Sequence, residues 1–176
     1  MLTTHIKKQL RELSTFHKEL GGIIEDDTIK ILYIGNDTEI DLEWTGETEI
    51  LFHTHPHHND PPSPQDISYM LTSVIGDLAH IVYDSRNGIN HSLDTYLSVK
   101  KYLVVSLDQI YVYFPRQTLI EDLIEDISHL DHDGFSENVD MMIKQIRDYC
   151  SDYLPSETFT EFKNKLSRIG VEINVI

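Results

Sequence analysis

The run Ile50-Leu51-Phe52-His53-Thr54-His55-Pro56 constrains this chain more than any other stretch. Apolar and aromatic residues lead into two histidines at i and i+2, and on a strand alternate side chains share a face. His53 and His55 are therefore expected on the same side of a strand that Pro56 terminates. Ten residues after Pro56 stands Asp66, at the end of Ser63-Pro64-Gln65-Asp66. That tetrad is a helix start, with Ser63 as N-cap, Pro64 at the first helical position and Asp66 at the third. Strand, proline-rich loop and helix must follow one another within residues 50 to 66.

The two imidazoles, roughly 6.6 Å apart along a strand, can converge on one ion. Two histidines and one carboxylate form a ligand set that zinc accepts while keeping its fourth position open to water, which is the pattern of a catalytic site. Each half also has an ordinary explanation, a pair of exposed strand histidines and a helix cap. The explanations are compatible, because a carboxylate has two oxygens and a helix N-terminus stabilises its ionised form. The whole pattern should arise by chance on the order of 10⁻⁴ times per chain, so coincidence is a poor account of it.

The rest of the sequence bounds the fold around this stretch. Its 176 residues are expected to form a single domain, 1–176, with a core over about 1–115 and a helical part over about 116–176. Residues 3 to 18 place Ile6, Leu10, Leu13 and Phe16 at helical spacing until Gly21-Gly22 breaks the pattern. Ile23-Ile24 and Lys30 to Ile34 read as paired strands joined by a turn at Glu25 to Thr28, Glu39 to Trp44 as an alternating strand, and Thr48 to His55 as the histidine strand. A helix is expected from Pro64 to Leu78, a strand over His80 to Asp84 and a loop to Asn90. A hairpin of Tyr102–Leu107 and Ile110–Phe114 follows. Residues 91 to 98 give no clear pattern.

Beyond Pro115 the apolar spacing predicts helices around Leu119–Leu130 and Val139–Cys150. The acidic residues Glu121, Asp122, Glu125 and Asp126 fall on a solvated face of the first of these. Ser156 is expected to cap a last helix, and Val171–Ile176 to form an edge strand. The fold class is therefore α/β (α+β), a mixed sheet covered by helices with the histidine strand central.

A net charge of −16 sets the chain against phosphate backbones and anionic lipids, so neither nucleic acid nor a membrane surface is an expected partner. No apolar run approaches the ~20 residues of a membrane span, and the N-terminal stretch lacks a signal-peptide apolar region, which makes cytoplasmic (intracellular) location the expectation. The single cysteine, Cys150, excludes an internal disulfide framework and is expected to be a core residue. Asp131-His132-Asp133 matches no recognisable ligand spacing. His57, His58 and Asp60 are expected at the surface of the loop, and Trp44 and the tyrosines within the sheet or core.

His53-Thr54-His55-Pro56, six residues, then Ser63-Pro64-Gln65-Asp66, resembles the signature of the JAMM (JAB/MPN) zinc metalloproteases. That resemblance covers residues 15 to 84. It implies an α/β fold akin to the cytidine deaminases, one zinc ion (Zn2+) held by His53, His55 and Asp66, and removal of ubiquitin or a ubiquitin-like modifier. The family also uses a glutamate near the end of its first helix, usually as Glu-x-x-Gly before apolar residues. Glu19-Leu20-Gly21-Gly22-Ile23-Ile24 stands in that place, with Glu25 as runner-up and Glu39, Glu43 and Glu49 fitting less well. By the same resemblance Glu19 is the general base and Ser63 the hydrogen-bond donor to the oxyanion. The other readings are a catalytically inactive scaffold that binds modifiers or partner subunits, and a zinc hydrolase of small peptides. A nucleobase deaminase would want a cysteine pair, which this chain lacks.

Overall fold

A β-hairpin and a central histidine-bearing strand organise the computed structural model, which describes residues 2–36, 40, 48–56, 59–89 and 97–176. The helix α1 (Thr4–Leu13) starts at Thr3, whose hydroxyl accepts the Ile6 N–H. The strands β1 (Leu20–Glu25) and β2 (Thr28–Ile34) then form an antiparallel hairpin. Asp26 and Asp27 turn it with φ of 48° and 56°. Two left-handed residues in succession match the right-handed twist of the flanking strands, and Asp tolerates that conformation. The strand β3 (Thr48–Thr54) carries His53, and α2 (Pro64–Arg86) follows the proline-rich loop. After α2 come β4 (Val99–Val105), β5 (Ile110–Pro115), α3 (Gln117–Ser128), α4 (Phe135–Tyr153), α5 (Phe159–Arg168) and β6 (Val171–Val175).

The sheet runs β2-β1-β3-β4-β5-β6, so β3 is interior and β2 and β6 are its edges. It is mixed, because β3 pairs antiparallel with β1 and parallel with β4. The fold class is thus α/β with a mixed sheet and the histidine strand inside it, as expected.

The chain divides into two compact units. In the first (residues 1–62, 98–114 and 173–176), one sheet face presents Ile24, Phe52, Leu103, Val105 and Ile110, and α1 packs Ile6 and Leu10 against it. Alternation then assigns Leu51 and His53 to the opposite face. In the second (residues 63–97 and 115–172), Val74, Ile75, Leu78 and Val82 of α2 form a core with Ile120, Leu123 and Ile127 of α3 and Val139 of α4. Arg86 ties three elements there. Its guanidinium donates to the carbonyls of Ser128 and Leu130 at 2.9 and 2.7 Å and lies 4.7 Å from the centre of the Phe135 ring. Among the described residues, no helix is long and apolar enough to cross a membrane.

Four expectations are corrected. Residues 80–84 are not a strand but the continuation of α2. The run Ile81-Val82-Tyr83 has strand composition, yet the buried positions Ile67, Met70, Leu71, Val74, Ile75, Leu78 and Val82 keep a helical period through it. The first helix stops at Leu13 rather than near residue 18, because the Ser14 and Thr15 hydroxyls donate to the Arg11 and Glu12 carbonyls, leaving Phe16 exposed. Gly21 and Gly22 do not lie in a break but inside β1, beside an irregularity in its pairing with β2. The last helix is capped by Thr158, whose hydroxyl accepts the Glu161 N–H, whereas the Ser156 hydroxyl donates to the Leu154 carbonyl. The alternating run Glu39–Trp44 lies outside the described residues save Ile40, which is in no regular element.

Candidate metal centre

His53 is near the end of β3 and only 4% exposed, and His55 follows the strand directly. Their convergence follows from the pleat, since the His55 N–H donates to the Val105 carbonyl at 2.8 Å and so prolongs the parallel β3–β4 ladder by one residue. The two Nε2 atoms lie 3.1 Å apart, with ring centroids at 4.9 Å and planes tilted by 57°. Two nitrogens at this separation, each about 2.0–2.1 Å from a shared ion, would subtend roughly 100°, close to tetrahedral. The arrangement could therefore hold a metal ion.

Asp66 is delivered by the start of α2. The Ser63 N–H donates to Asp66 Oδ2 at 2.6 Å, and the Asp66 N–H donates to Ser63 Oγ at 3.2 Å, a complete capping box. Ligand atoms of His53, His55 and Asp66 all lie within 4.8 Å of one another. Among the described residues no second group of three such side chains is brought together, and the Asp131-His132-Asp133 segment is exposed. The helix N-terminus favours the ionised carboxylate that a cation needs. A Ser63→Ala substitution is expected to lower the stability of the metal-free protein by about 0.5–2 kcal/mol through loss of the cap. Urea unfolding in the presence of a chelator measures this, and an unchanged midpoint would show that the Ser63 hydroxyl contributes nothing to the cap.

Glu19 precedes β1, is 7% exposed, and has both backbone groups bonded, its N–H to the Asn36 carbonyl at 2.8 Å and its carbonyl to the Gly35 N–H at 2.9 Å. The β1–β3 register sets Gly21 opposite His53. The Leu20 N–H donates to Thr54 Oγ1 at 2.9 Å, so a side chain of β3 holds β1 just beyond the last paired residues. Glu19, the residue before Leu20, therefore lies at the end of β1 that faces the histidine end of β3. Thr54, between the two histidines, is thus what ties the base candidate to the ligand strand. Sequence reading passed it over, because a lone buried threonine carries no signal of its own.

Glu25 sits at the hairpin end of β1, opposite Thr28, and bonds Lys30 at 2.7 Å. That hydrogen bond, followed by the carboxylate's charge, raises the Lys30 pKa. Four residues of strand, roughly 13 Å, separate Glu25 from the level of His53, which removes it from the chemistry. Glu49 is exposed and lies 3.5 Å from Lys100. Glu39, Glu43, Trp44, His57 and His58 lie outside the described residues. Asp60 is exposed, as expected of a loop residue. Cys150 is fully buried and burial pushes its thiol up to about 11, so it is protonated near neutrality and is not a nucleophile.

No protein-family model, no curated protein and no solved structure matches this chain.

Proposed function

We propose that this protein is a zinc-dependent isopeptidase or peptidase of the JAMM type, acting on ubiquitin or a ubiquitin-like modifier. The observations that carry the reading are the 3.1 Å separation of His53 Nε2 and His55 Nε2 and an Asp66 oxygen within 4.8 Å of a ring nitrogen of each histidine. His53, His55 and Asp66 would hold the ion. A bound zinc supplies a Lewis acid that lowers the pKa of a water toward 7 and polarises a carbonyl oxygen.

The chain's own residues do the rest. The Glu19 carboxylate takes a proton from the attacking water and returns it to the leaving amine, which lets one group serve both halves of the reaction. The Ser63 hydroxyl accepts the Asp66 N–H through a lone pair, leaving its proton to donate to a developing oxyanion. Such a donor is worth ~2.7–4 kcal/mol in comparable sites. The strand position of His53 and the capping box around Asp66 hold the ligands in place before substrate arrives.

Zinc content and cleavage test this together. Purified protein is expected to carry about one zinc per chain and to lose cleavage of a panel of ubiquitin-like and peptide isopeptide substrates on chelation. His53→Ala is expected to bring zinc content close to zero. A protein that binds no zinc even after reconstitution sinks the reading. One that binds zinc and a modifier without cleaving is a scaffold, and one that cleaves only short peptides is a small-substrate hydrolase.

A further inference from the structure

We infer that Asn59 is a positioning residue of this centre, acting through a clasp to Asp108 that anchors the chain four residues after His55. The inference rests on the zinc reading above. Asn59 uses both ends of its amide. Its Nδ2 donates to Asp108 Oδ2 at 2.6 Å, and its Oδ1 accepts the Asp108 N–H at 2.9 Å. Tyr111 stands beside them, with its hydroxyl 3.4 Å from the Asn59 carbonyl and its proton given to Gln109 Oε1 at 2.6 Å. Desolvation, and then the charge of Asp60, raise the Tyr111 pKa, so its hydroxyl stays protonated.

The need for such a clasp lies in the sequence. Between His55 and Ser63 stand Pro56, Pro61 and Pro62, none of which has an N–H to donate. Three residues here lack a backbone donor, and Asn59 is held instead by Asp108 of the β4–β5 turn. The His55 N–H is bonded to the Val105 carbonyl, and four residues on, Asn59 is bonded to Asp108. His55 and Asn59 are thus each anchored to the end of β4 or the turn after it. The same cross-strand row links the clasp to the ligand strand, since Tyr111 is opposite Val104 and Val104 is opposite His53. Releasing Asn59 would remove the anchor next after His55 while leaving every ligand in the sequence.

Asn59→Asp tests this, because it keeps the shape but sets two carboxylates against each other. Zinc affinity is measured by competition with a chromogenic chelator, and site geometry by the visible bands of the Co(II)-substituted protein. Wild-type protein is measured first. The substitution is expected to weaken zinc binding about tenfold to a hundredfold, the range for groups that orient metal ligands from behind. The thermal midpoint of the zinc-free protein should move by no more than ~2 °C, as for an ordinary surface change.

Asn59→Ala should act in the same direction without the added charge. The reciprocal double variant Asn59→Asp/Asp108→Asn rebuilds the side-chain hydrogen bond with donor and acceptor exchanged, keeps the one from the backbone N–H of residue 108, and should restore zinc affinity and the cobalt spectrum. Wild-type affinity in Asn59→Asp, or failure of the double variant to recover, overturns the clasp. A fall in zinc-free stability that accounts for the whole loss would make Asn59 merely structural. Wild-type protein that binds no zinc removes the metal reading itself, and the clasp with it.

Discussion

Glu19→Gln is expected to keep about one zinc per chain while lowering the rate of isopeptide cleavage by roughly 10²–10⁴, the usual contribution of a positioned general acid–base. The amide has the shape of the carboxylate, and Glu19 is nine-tenths buried with both backbone groups bonded, so the substitution is not expected to disturb the fold. It removes the one property that matters, the ability to accept a proton at neutral pH. The effect should fall on kcat, since Glu19 is not among the three side chains whose ligand atoms come together. Steady-state cleavage, with metal content measured on the same sample, separates loss of the base from loss of the ion. Glu25→Gln is the internal comparison. At the hairpin end and bonded to Lys30, it should leave the rate within a factor of about two. A Glu19→Gln enzyme as fast as wild type would assign the base elsewhere.

The second large effect is structural. Gly22→Ala is expected to destabilise the protein by about 3–5 kcal/mol, in the range reserved for substitutions that meet an immovable neighbour. A Cβ at this position would stand 1.9 Å from the Lys30 carbonyl oxygen, 2.9 Å from its carbon and 3.0 Å from the Ile31 Cα. All three are backbone, so no rotamer relieves the clash and the β1–β2 pairing must open where its register already shifts. Because β1 also pairs with β3, the disturbance is expected to reach the ligand strand and weaken zinc binding too. Gly76→Ala makes the contrast. Gly76 is exposed on α2, has nothing within 4 Å of its would-be Cβ, and should gain up to ~1 kcal/mol. Urea unfolding of both variants decides the matter, and a Gly22→Ala midpoint like wild type would mean that the hairpin adapts freely.

What could be read beforehand followed from how local the controlling signal is. The His53/His55 pair, the Ser63 cap and the hairpin turn each depend on residues close in sequence, and these stood where spacing put them. The acidic face of α3 is exposed for the same reason, with apolar and charged residues keeping a helical period. The misread strand at 80–84 shows a conflict between two local signals. Composition favoured extended chain over Ile81-Val82-Tyr83, while the buried stripe from Ile67 onward carried the helix through. Composition lost because packing against α3 and α4 rewards the helical phase.

The role of Gly22 was not legible, because the atom it makes room for belongs to Lys30 on another strand. The Thr54–Leu20 bond and the Asn59–Asp108 clasp join residues 34 and 49 positions apart, and no spacing rule anticipates either. At the candidate centre, the grouping of His53, His55 and Asp66 was legible and the supports beneath it were not.

The mixed pairing of β3 also sets an order of events in time. On its β1 side, the ligand strand meets residues already synthesised, so Gly21 and Gly22 are waiting when His53 and Phe52 emerge. On its other side it meets β4, and the His55 amide is closed by Val105, 50 positions later. A nascent chain therefore carries both histidines for a long interval before the parallel neighbour that holds His55 has been made, and contacts of such separation form slowly. Until β4 has been made the two imidazoles form a half-braced pair, and His55 gains its backbone anchor only when Val105 is in place.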